Sequence, residues 1–214
     1  MLRFAGLQAY HGGAQHLRSA EERKTAIEQV LKLVNRTRHE FDRAGLAIPL
    51  ITGAGTGTMV NEAASGIYGE IQPGSFLFMD ADYAANQRDA AQPLFEHALY
   101  VKTQVMSLSG DHAVCDAGHK AHAIDSGLPR LHALAPENAL RFANGGDEHG
   151  VLHPDADAGN HSGWLPALGE SLWLIPGHCD PTVNLHDHLI GVRGGRLKGV
   201  VERIFTVDGR GALT

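Results

Sequence analysis

The sequence predicts an α/β half, equivalent to the closing part of a βα-barrel, followed by an antiparallel β domain. Over the first half, apolar strand-like runs alternate with helical periodicity and Gly-rich turns, which is typical of α/β folds. From about residue 95, short alternating segments are separated by Gly, Pro, Asp and Asn, which is typical of antiparallel sheets. We therefore predict a partial barrel over residues 1–90 and a β domain over residues 91–214.

The first half begins with a strand and a long helix. Leu2–Tyr10 predicts a strand that starts almost at the first residue. Ser19 with Glu22 three residues later is a capping-box signature, and Gly45 marks the end of the same helix. Apolar residues recur between them at helical spacing and predict a buried face: Ile27, Val30, Leu31, Val34 and Phe41.

Two short apolar strands, Ile48–Ile51 and Ile67–Ile71, each lead into a turn, Thr52–Thr58 and Gln72–Ser75. Glycines let backbone N–H groups approach an anion and hydroxyls add donors, so these turns predict a phosphate site. The first turn has neither a P-loop lysine nor a dinucleotide fingerprint, which weakens the case for a nucleotide. A tight turn without a ligand is an equally good interpretation of that turn alone. Two such turns on successive strand ends match the phosphate-binding loops of βα-barrels, which favours the phosphate site.

The second half is divided into short strand-like segments. The predicted strands are Leu99–Met106, Ala113–Asp116, Ser171–Ile175, Leu189–Val192 and Gly199–Thr206. Hairpin signals lie at Ser109–Asp111 and Arg193–Arg196. Residues 132–170 are rich in loop-forming residues, and the pattern there gives no clear element.

Composition narrows the class of protein. The chain has 43% hydrophobic and 20% charged residues, as ordinary globular proteins do. A net charge of -6 without a Lys/Arg stripe argues against a nucleic-acid partner. No apolar run reaches membrane-spanning length, so we expect no membrane partner. Two cysteines are too few for a disulfide scaffold, and we expect a cytoplasmic location.

Polar aromatic and imidazole side chains follow the predicted first strand. Tyr10, His11 and His16 lie where a βα-barrel places its catalytic rim. Tyr10 has the chemistry to hydrogen-bond or stack on an aromatic cofactor, and His16 to act as a general base, since imidazole titrates near neutrality. The alternative is that both are loop residues without a role. For His16 alone this alternative is favoured, and for Tyr10 the two interpretations are equal.

The densest group of metal-ligand residue types lies between His178 and Asp187, just after an apolar strand. His178 and Asp180 are two residues apart, and on an extended backbone both side chains point to one face. Nitrogen plus oxygen suits manganese, cobalt, magnesium or zinc, with water or substrate completing the shell. On that geometry Cys179 points away, and His186 and Asp187 orient the ligands. The alternative is a set of loop residues that cap turns, and the density of ligand types favours metal.

Other polar residues of the second half lie beside glycines. Asp116, Asp125, Glu148 and His149 have the chemistry to line a site. Aspartates beside glycines are more often turn formers, so that interpretation is favoured for each acid taken singly. Lys120 lies nearby, but nothing in the sequence indicates that it is desolvated or nucleophilic.

Seven motifs together resemble one family, that of the D-threonine aldolases and D-serine dehydratases. They are Leu7–Gly12, Gly53–Thr58, Gln72–Phe76, Asp116–Gly118, Asp125–Pro129, Glu148–Gly150 and Pro176–Asn184. The resemblance covers essentially the whole chain, and the His-Cys-Asp block is its most specific part.

The resemblance implies an alanine racemase-like fold, in which a βα-barrel is followed by a β domain. It implies pyridoxal 5'-phosphate as cofactor and a divalent metal near it, with manganese, magnesium or cobalt favoured and zinc as an alternative. It also implies a small-molecule D-amino acid as substrate and a homodimer for the complete protein.

The resemblance assigns roles residue by residue. His178 and Asp180 correspond to metal ligands, and dehydratase members tend to have a cysteine where this chain has Asp180, which favours an aldolase. Tyr10 corresponds to a tyrosine beside the cofactor, and His16 to a histidine near the substrate hydroxyl. The phosphate-binding positions correspond to Thr56, Gly57, Gly74 and Ser75.

The family's Schiff-base lysine lies in an Arg-Pro-x-x-Lys motif on the first barrel strand, upstream of the Leu7–Gly12 segment. This sequence has no such motif, and its five lysines fall elsewhere. We therefore expect the chain to correspond to the C-terminal portion of the enzyme, beginning inside the barrel, and to be inactive when isolated.

The function expected from these features is that of a metal-dependent pyridoxal-phosphate lyase. It would cleave D-β-hydroxy-α-amino acids to glycine and an aldehyde, as D-threonine aldolases do. One alternative is a D-serine or 3-hydroxyaspartate dehydratase, which expels the hydroxyl as water. The other is a catalytically inactive fragment that binds metal or phosphate.

Overall fold

The computed structural model describes residues 2–132, 140–156, 163–195 and 198–212. The chain forms two compact units, Met1–Ala98 and Leu99–Thr214. The first unit contains β1 (Leu7–Gln8), α1 (Ala20–Arg43), β2 (Ile51–Gly53), α2 (Met59–Ala64), β3 (Glu70–Ile71) and α3 (Ala81–Ala84). Short 3-10 turns lie at Gly12–His16 and Ser75–Leu77.

The second unit contains mainly strands. They are β4 (Val101–Leu108), β5 (Ala113–Cys115), β6 (Arg130–Leu131), β7 (Leu140–Asn144), β8 (Gly150–Pro154), β9 (Ser171–Ile175), β10 (His188–Arg193) and β11 (Val200–Thr206). A short helix, α4 (Cys179–Val183), lies between β9 and β10. Within the ranges that the structure describes, no helix is long and apolar enough to cross a membrane.

The strands of the first unit pair in parallel, β1 with β2 and β2 with β3. Parallel strands end at the same edge of a sheet, so the segments that follow β1, β2 and β3 lie side by side. The strand predicted over Leu2–Tyr10 is wrong in its length, because only Leu7 and Gln8 pair with β2. The strand predicted from Ile48 likewise starts later, because β2 begins at Ile51, the first residue that pairs with β1.

Both predicted ends of the long helix α1 are confirmed. Ser19 is the N-cap of α1, and both hydrogen bonds of the capping box with Glu22 are formed. Gly45 follows the C-cap with a φ of +68°, a backbone conformation that favours glycine. Ile27 and Val34 of the predicted apolar face are buried.

The main sheet of the second unit is antiparallel, in the order β6-β9-β4-β5-β8-β7. The hairpin predicted at Ser109–Asp111 joins β4 and β5 and is confirmed. β7 and β8 lie in the stretch where the sequence pattern gave no element. The sheet buries an apolar cluster: Val105, Ala113, Cys115, Ala117, Leu140, Phe142, Leu152, Leu172 and Leu174.

β10 and β11 pair with each other as a second antiparallel ribbon. This pairing confirms the hairpin predicted from the glycines of Arg193–Arg196. Residues 196–197 lie outside the described residues, so only the start of that turn is placed, at positions 193–195. Most side chains of the ribbon are exposed.

Candidate functional site

The two predicted phosphate turns meet at the carboxyl edge of the parallel sheet. The Phe76 amide donates a hydrogen bond to the Thr56 hydroxyl at 3.1 Å, which ties the turn after β3 to the turn after β2. Thr56 is buried. The two turns that the sequence placed on successive strand ends are therefore in direct contact.

A chain of buried polar groups holds the first turn in shape. The Gln15 side chain accepts a hydrogen bond from the Gly57 amide at 3.0 Å and donates to the Thr58 hydroxyl at 2.8 Å. The Thr58 hydroxyl in turn donates to Glu62 at 2.9 Å. A Cβ added at Gly57 would lie 2.7 Å from the backbone oxygen of Gln15, so the close approach requires glycine.

The donor set at these turns fits a phosphate group. Thr56 offers a hydroxyl hydrogen, and Ser75 adds a second hydroxyl at the start of a 3-10 turn. The backbone at Gly74 is open, since an added Cβ there would meet nothing within 4 Å. The Gly57 amide already donates its hydrogen to the Gln15 side chain. In this structure Gly57 therefore shapes the turn, and its amide is not directed at a phosphate.

A cavity of about 240 Å³ lies beside the first turn, within the first unit. Its walls include Thr56 and Gly57, the ring of Tyr83, and the polar side chains of Asn86 and Arg88. A ligand bound at the turn would therefore face the polar side chains of Asn86 and Arg88, which belong to the same unit.

Tyr10 lies at the edge of the same region and is 48% exposed. Its phenol lies close enough to that of Tyr83 for the two groups to interact. Burial raises the pKa of Tyr10, and the nearby Glu62 carboxyl raises it further. Burial also raises the pKa of Tyr83 above its usual range. Both phenols therefore keep their protons near neutral pH and act as hydrogen-bond donors or acceptors.

His16 is held by a buried carboxylate. Its Nδ1 lies 2.6 Å from Oδ2 of Asp82, while the His16 side chain remains 44% exposed. Arg18 donates to Oδ1 of the same carboxylate at 2.5 Å. The ring of His16 lies 6.0 Å from that of Tyr83. The structure thus brings His16, Tyr10 and the two turns to one edge of the parallel sheet.

The predicted metal ligands lie in the second unit, and their backbone differs from the prediction. His178 is extended and is the N-cap of α4, but Asp180 lies in the first turn of that helix. The expectation of one extended backbone carrying both side chains on one face is therefore wrong. Cys179 is buried and Asp180 is exposed, because the helical turn packs the cysteine inward.

A carboxylate orients His178. Its Nδ1 lies 3.0 Å from Oδ2 of Asp125 and 3.2 Å from the Ser126 hydroxyl. Metal-binding histidines commonly bind a carboxylate through one ring nitrogen and the metal through the other. The contact of Nδ1 with Asp125 leaves Nε2 as the nitrogen for a cation.

The donor chemistry of His178 and Asp180 suits a divalent cation, but they supply only two ligands. Among the residues that the structure describes, no group of three or more His, Cys, Asp and Glu side chains is arranged to hold a metal. A cation bound there would complete its shell with water or substrate.

The remaining polar candidates make structural contacts. Asp116 accepts hydrogen bonds from the Thr103 hydroxyl and the Gln104 amide, as a residue that satisfies the backbone does. Lys120 forms an exposed ion pair with Glu148 at 2.7 Å. His186, expected to orient the metal ligands, instead contacts the backbone oxygen of Ala121 at 2.8 Å, and Asp187 pairs with Arg210.

Sequence reasoning missed Asp82, Tyr83 and Gln15, and favoured a turn-forming role for Asp125. Asp82 and Tyr83 lie 66 and 67 positions after His16, so no local pattern connects them. The one available signal was a polar group directly after the apolar run Phe76–Met79. For Asp125 the signal was its place in a motif of the resemblance.

Comparison with solved structures defines the fold class. The chain is similar to the crystal structure of D-threonine aldolase from Filomicrobium marinum, with 42% sequence identity and a TM-score of 0.89, over 100% of this chain and 55% of that one. It is also similar to an alanine racemase-like protein from Idiomarina loihiensis, with 19% identity and a TM-score of 0.68, over 87% of this chain and 52% of that one. The second likeness concerns the fold alone. The predicted fold class, the closing part of an alanine racemase-like barrel followed by an antiparallel β domain, is confirmed.

Comparison of sequences shows which named proteins this chain is similar to. Residues 98–192 match the family model described as a putative serine dehydratase domain. The chain is 40% identical to 3-hydroxy-D-aspartate aldolase of Paracoccus denitrificans (strain Pd 1222) over 98% of its length. It is 43% identical to D-threonine aldolase of Arthrobacter sp over 97% of its length. The chain spans about half the length of these curated relatives, 52% of each. The resemblance of this chain to the D-threonine aldolases and D-serine dehydratases is therefore confirmed over this portion of those proteins.

Proposed function

We propose that this chain is part of a metal-dependent pyridoxal-phosphate lyase of the D-threonine aldolase type. The reaction would cleave a D-β-hydroxy-α-amino acid to glycine and an aldehyde. The observation that supports it most directly is the meeting of His16, Tyr10 and two phosphate-type turns at one sheet edge. They meet in a chain 40% and 43% identical to two proteins named aldolases.

The first unit would hold the cofactor. Thr56 and Ser75 would donate hydroxyl hydrogen bonds to its phosphate, and the open backbone at Gly74 would let the phosphate approach. Gly57 would keep the turn close to Gln15, and Tyr10 would lie beside the cofactor ring. When bound, pyridoxal phosphate supplies an electron sink for the charge that develops at the substrate Cα.

His178 and Asp180 of the second unit would hold the metal, with Asp125 fixing the His178 ring. A divalent cation supplies Lewis acidity, which lowers the pKa of a bound hydroxyl. His16 would accept the proton of the substrate β-hydroxyl at its Nε2 atom, since Nδ1 is engaged by Asp82. Asp180 rather than cysteine at its position favours carbon–carbon cleavage over loss of water.

The Schiff-base lysine implied by the resemblance would come from the half of the relatives' length that lies outside the match. We therefore expect turnover only when the rest of the barrel is present. The test is to assay this chain with pyridoxal 5'-phosphate, Mn²⁺ and D-threonine, alone and mixed with the N-terminal half of the Arthrobacter relative. Glycine and acetaldehyde should form in the mixture.

The products separate the alternatives. A 2-oxo acid with ammonia would favour the dehydratase, and ligand binding without turnover in either sample would favour an inactive fragment. Borohydride reduction and an intact mass provide a second readout. A stoichiometric cofactor adduct on one lysine of the isolated chain would contradict our assignment of the lysine to the other half.

Metal binding has a test that does not need activity. Asp180→Asn should lose Mn²⁺ binding in a calorimetric titration of the chain. Asp187→Asn is the matched control, because Asp187 pairs with Arg210. The Asp187→Asn chain should bind the cation as the unchanged chain does. Equal binding by both variants would remove Asp180 from the metal site.

A further inference from the structure

We propose that Asp82 is a positioning residue that fixes His16 in the tautomer with its proton on Nδ1. The Nε2 lone pair of His16 is then directed away from Asp82, where it can accept a proton. The inference rests on the proposed function only in naming the substrate β-hydroxyl as the source of that proton.

The geometry of the pair supports a fixed orientation. Oδ2 of Asp82 lies 2.6 Å from His16 Nδ1, a short contact of the kind that a hydrogen bond to an ionised carboxylate makes. Asp82 is only 6% exposed, so little water competes for that oxygen. Its place on α3 is fixed by the Asp80 N-cap, which accepts a hydrogen bond from the Tyr83 amide at 2.9 Å.

Arg18 fixes the carboxylate from the other side. Its Nη2 donates to Oδ1 of Asp82 at 2.5 Å, and its Nη1 donates to the Asp82 backbone oxygen at 2.7 Å. Nη1 also contacts Oδ1 of Asn86 at 2.7 Å, and Asn86 donates to the backbone oxygen of Gln15. The two carboxylate oxygens therefore have separate partners, Arg18 on Oδ1 and His16 on Oδ2.

This division of partners determines the His16 tautomer. A carboxylate only accepts hydrogen bonds, so the ring nitrogen facing Oδ2 must carry the proton. A neutral imidazole then has its lone pair on Nε2. A general base needs that arrangement before substrate arrives.

The same division predicts what Asp82→Asn does. An arginine only donates, so the introduced amide must turn its oxygen toward Arg18. The NH₂ group of that amide then faces His16 and forces Nδ1 to accept, which moves the imidazole proton to Nε2. The variant keeps the shape of the side chain and reverses the tautomer.

The first measurement uses the unchanged 214-residue chain. Long-range ¹H–¹⁵N correlation spectra at about pH 9, where an ordinary imidazole is neutral, report which ring nitrogen is protonated. We expect His16 to show a protonated Nδ1. A protonated Nε2 in this chain would overturn the proposal without any variant.

The second measurement compares Asp82→Asn with Asp111→Asn. Asp111 lies 2.7 Å from His112 Nδ1 but is exposed, and it serves as the matched His–Asp control. Asp82→Asn should move the His16 proton to Nε2 and leave the His112 signal unchanged, which also shows that the fold is intact. An unchanged His16 tautomer in a folded Asp82→Asn chain would overturn the proposal.

Activity gives the third readout, in the complemented enzyme. Asp82→Asn should lower kcat by roughly 10²- to 10⁴-fold, the usual contribution of a general base, with a smaller change in KM. Asp111→Asn should leave both constants unchanged. Full kcat with a reversed tautomer would exclude a positioning role in catalysis. Absence of turnover in the unchanged protein would instead count against the proposed function, while the tautomer spectra would still decide the role of Asp82.

Discussion

Gln15, Glu62 and Asp82 are all buried near the strand ends of the first unit, although each has a polar or ionisable side chain. Gln15 and Asp82 have several hydrogen-bond partners, which offsets the free-energy cost of removing them from water. Glu62 is different, since one of its carboxyl oxygens has no hydrogen-bond partner among the described residues. The unsatisfied oxygen of Glu62 therefore lowers the free energy of unfolding.

Glu62→Gln should change the pH dependence of stability. Burial raises the pKa of Glu62 above its ordinary value of 4.5. A carboxyl with a raised folded-state pKa contributes stability below that ordinary value and loses it as pH rises through the folded pKa. The unchanged chain should therefore lose unfolding free energy relative to Glu62→Gln as pH rises above about 4.5, until the carboxyl of the folded chain has itself ionised. Urea unfolding at several pH values measures this, and parallel curves for the two chains would contradict it.

Gly57→Ala should distort the first phosphate turn. The added Cβ would lie 2.7 Å from the Gln15 backbone oxygen, and a backbone atom cannot move aside cheaply. We expect a loss of roughly 1–3 kcal/mol in unfolding free energy. Gly74→Ala is the control, since its Cβ meets nothing within 4 Å, and it should change stability by less than about 0.5 kcal/mol. Equal losses in denaturant titrations would show that close packing at Gly57 is unimportant.

At the scale of elements, α1 organises the segment that carries His16. Arg23 lies on the first turns of this helix and is buried. Its guanidinium donates to the backbone oxygens of Leu17, Arg18 and Gln87. Through Arg23, α1 therefore holds Leu17 and Arg18, which directly follow His16, against Gln87, which follows α3.

Arg23→Met should separate those segments. The apolar variant fills similar space but leaves the carbonyls of Leu17, Arg18 and Gln87 without this donor, which should cost about 2–3 kcal/mol of unfolding free energy. Lys24→Met is the matched control on an exposed position of the same helix and should have little effect. Thermal unfolding of both variants measures the difference. A small loss for Arg23→Met would mean that water replaces the guanidinium.

The elements that the sequence predicted correctly have local signals. The capping box at Ser19, the glycine at Gly45 and the apolar run Ser171–Ile175 each lie within a few residues of the feature they predict. The length of β1 depends instead on pairing with β2, a strand distant in the sequence. β7 and β8 were missed because their pairing, rather than their composition, makes them strands.

In the candidate site too, the residues that the sequence indicated lie in short local motifs, whereas their partners are distant in the sequence. Residue types in short motifs indicated His16, Thr56 and His178. The carboxylates that orient the histidines, Asp82 and Asp125, come from segments 66 and 53 positions away. The short helix at α4 was not predicted, because ligand spacing alone does not distinguish an extended backbone from a helical turn.

At the scale of the whole molecule, the described chain leaves much apolar surface uncovered. The β10–β11 ribbon, His188–Arg193 with Val200–Thr206, has several apolar side chains that are 44% or more exposed: Ile190, Val192, Val200, Val201, Ile204 and Phe205. A two-stranded ribbon is marginally stable alone, and exposed apolar patches indicate contact surfaces. A homodimer, which the resemblance implies for the complete protein, would give this surface a partner, and we propose that the ribbon contributes to self-association.

The double variant Ile190→Lys with Ile204→Glu should weaken that association. These two residues are directly paired across the ribbon, so the introduced charges attract each other and should preserve the hairpin. The same charges would lose water in an apolar contact, and we expect the dissociation constant to rise by about tenfold or more. Sedimentation velocity over a range of concentrations measures it. Leu33→Lys, at an exposed position of α1, is the control and should associate as the unchanged chain does. A chain that stays monomeric at every concentration, or a double variant that associates normally, would show that the ribbon is not the contact surface.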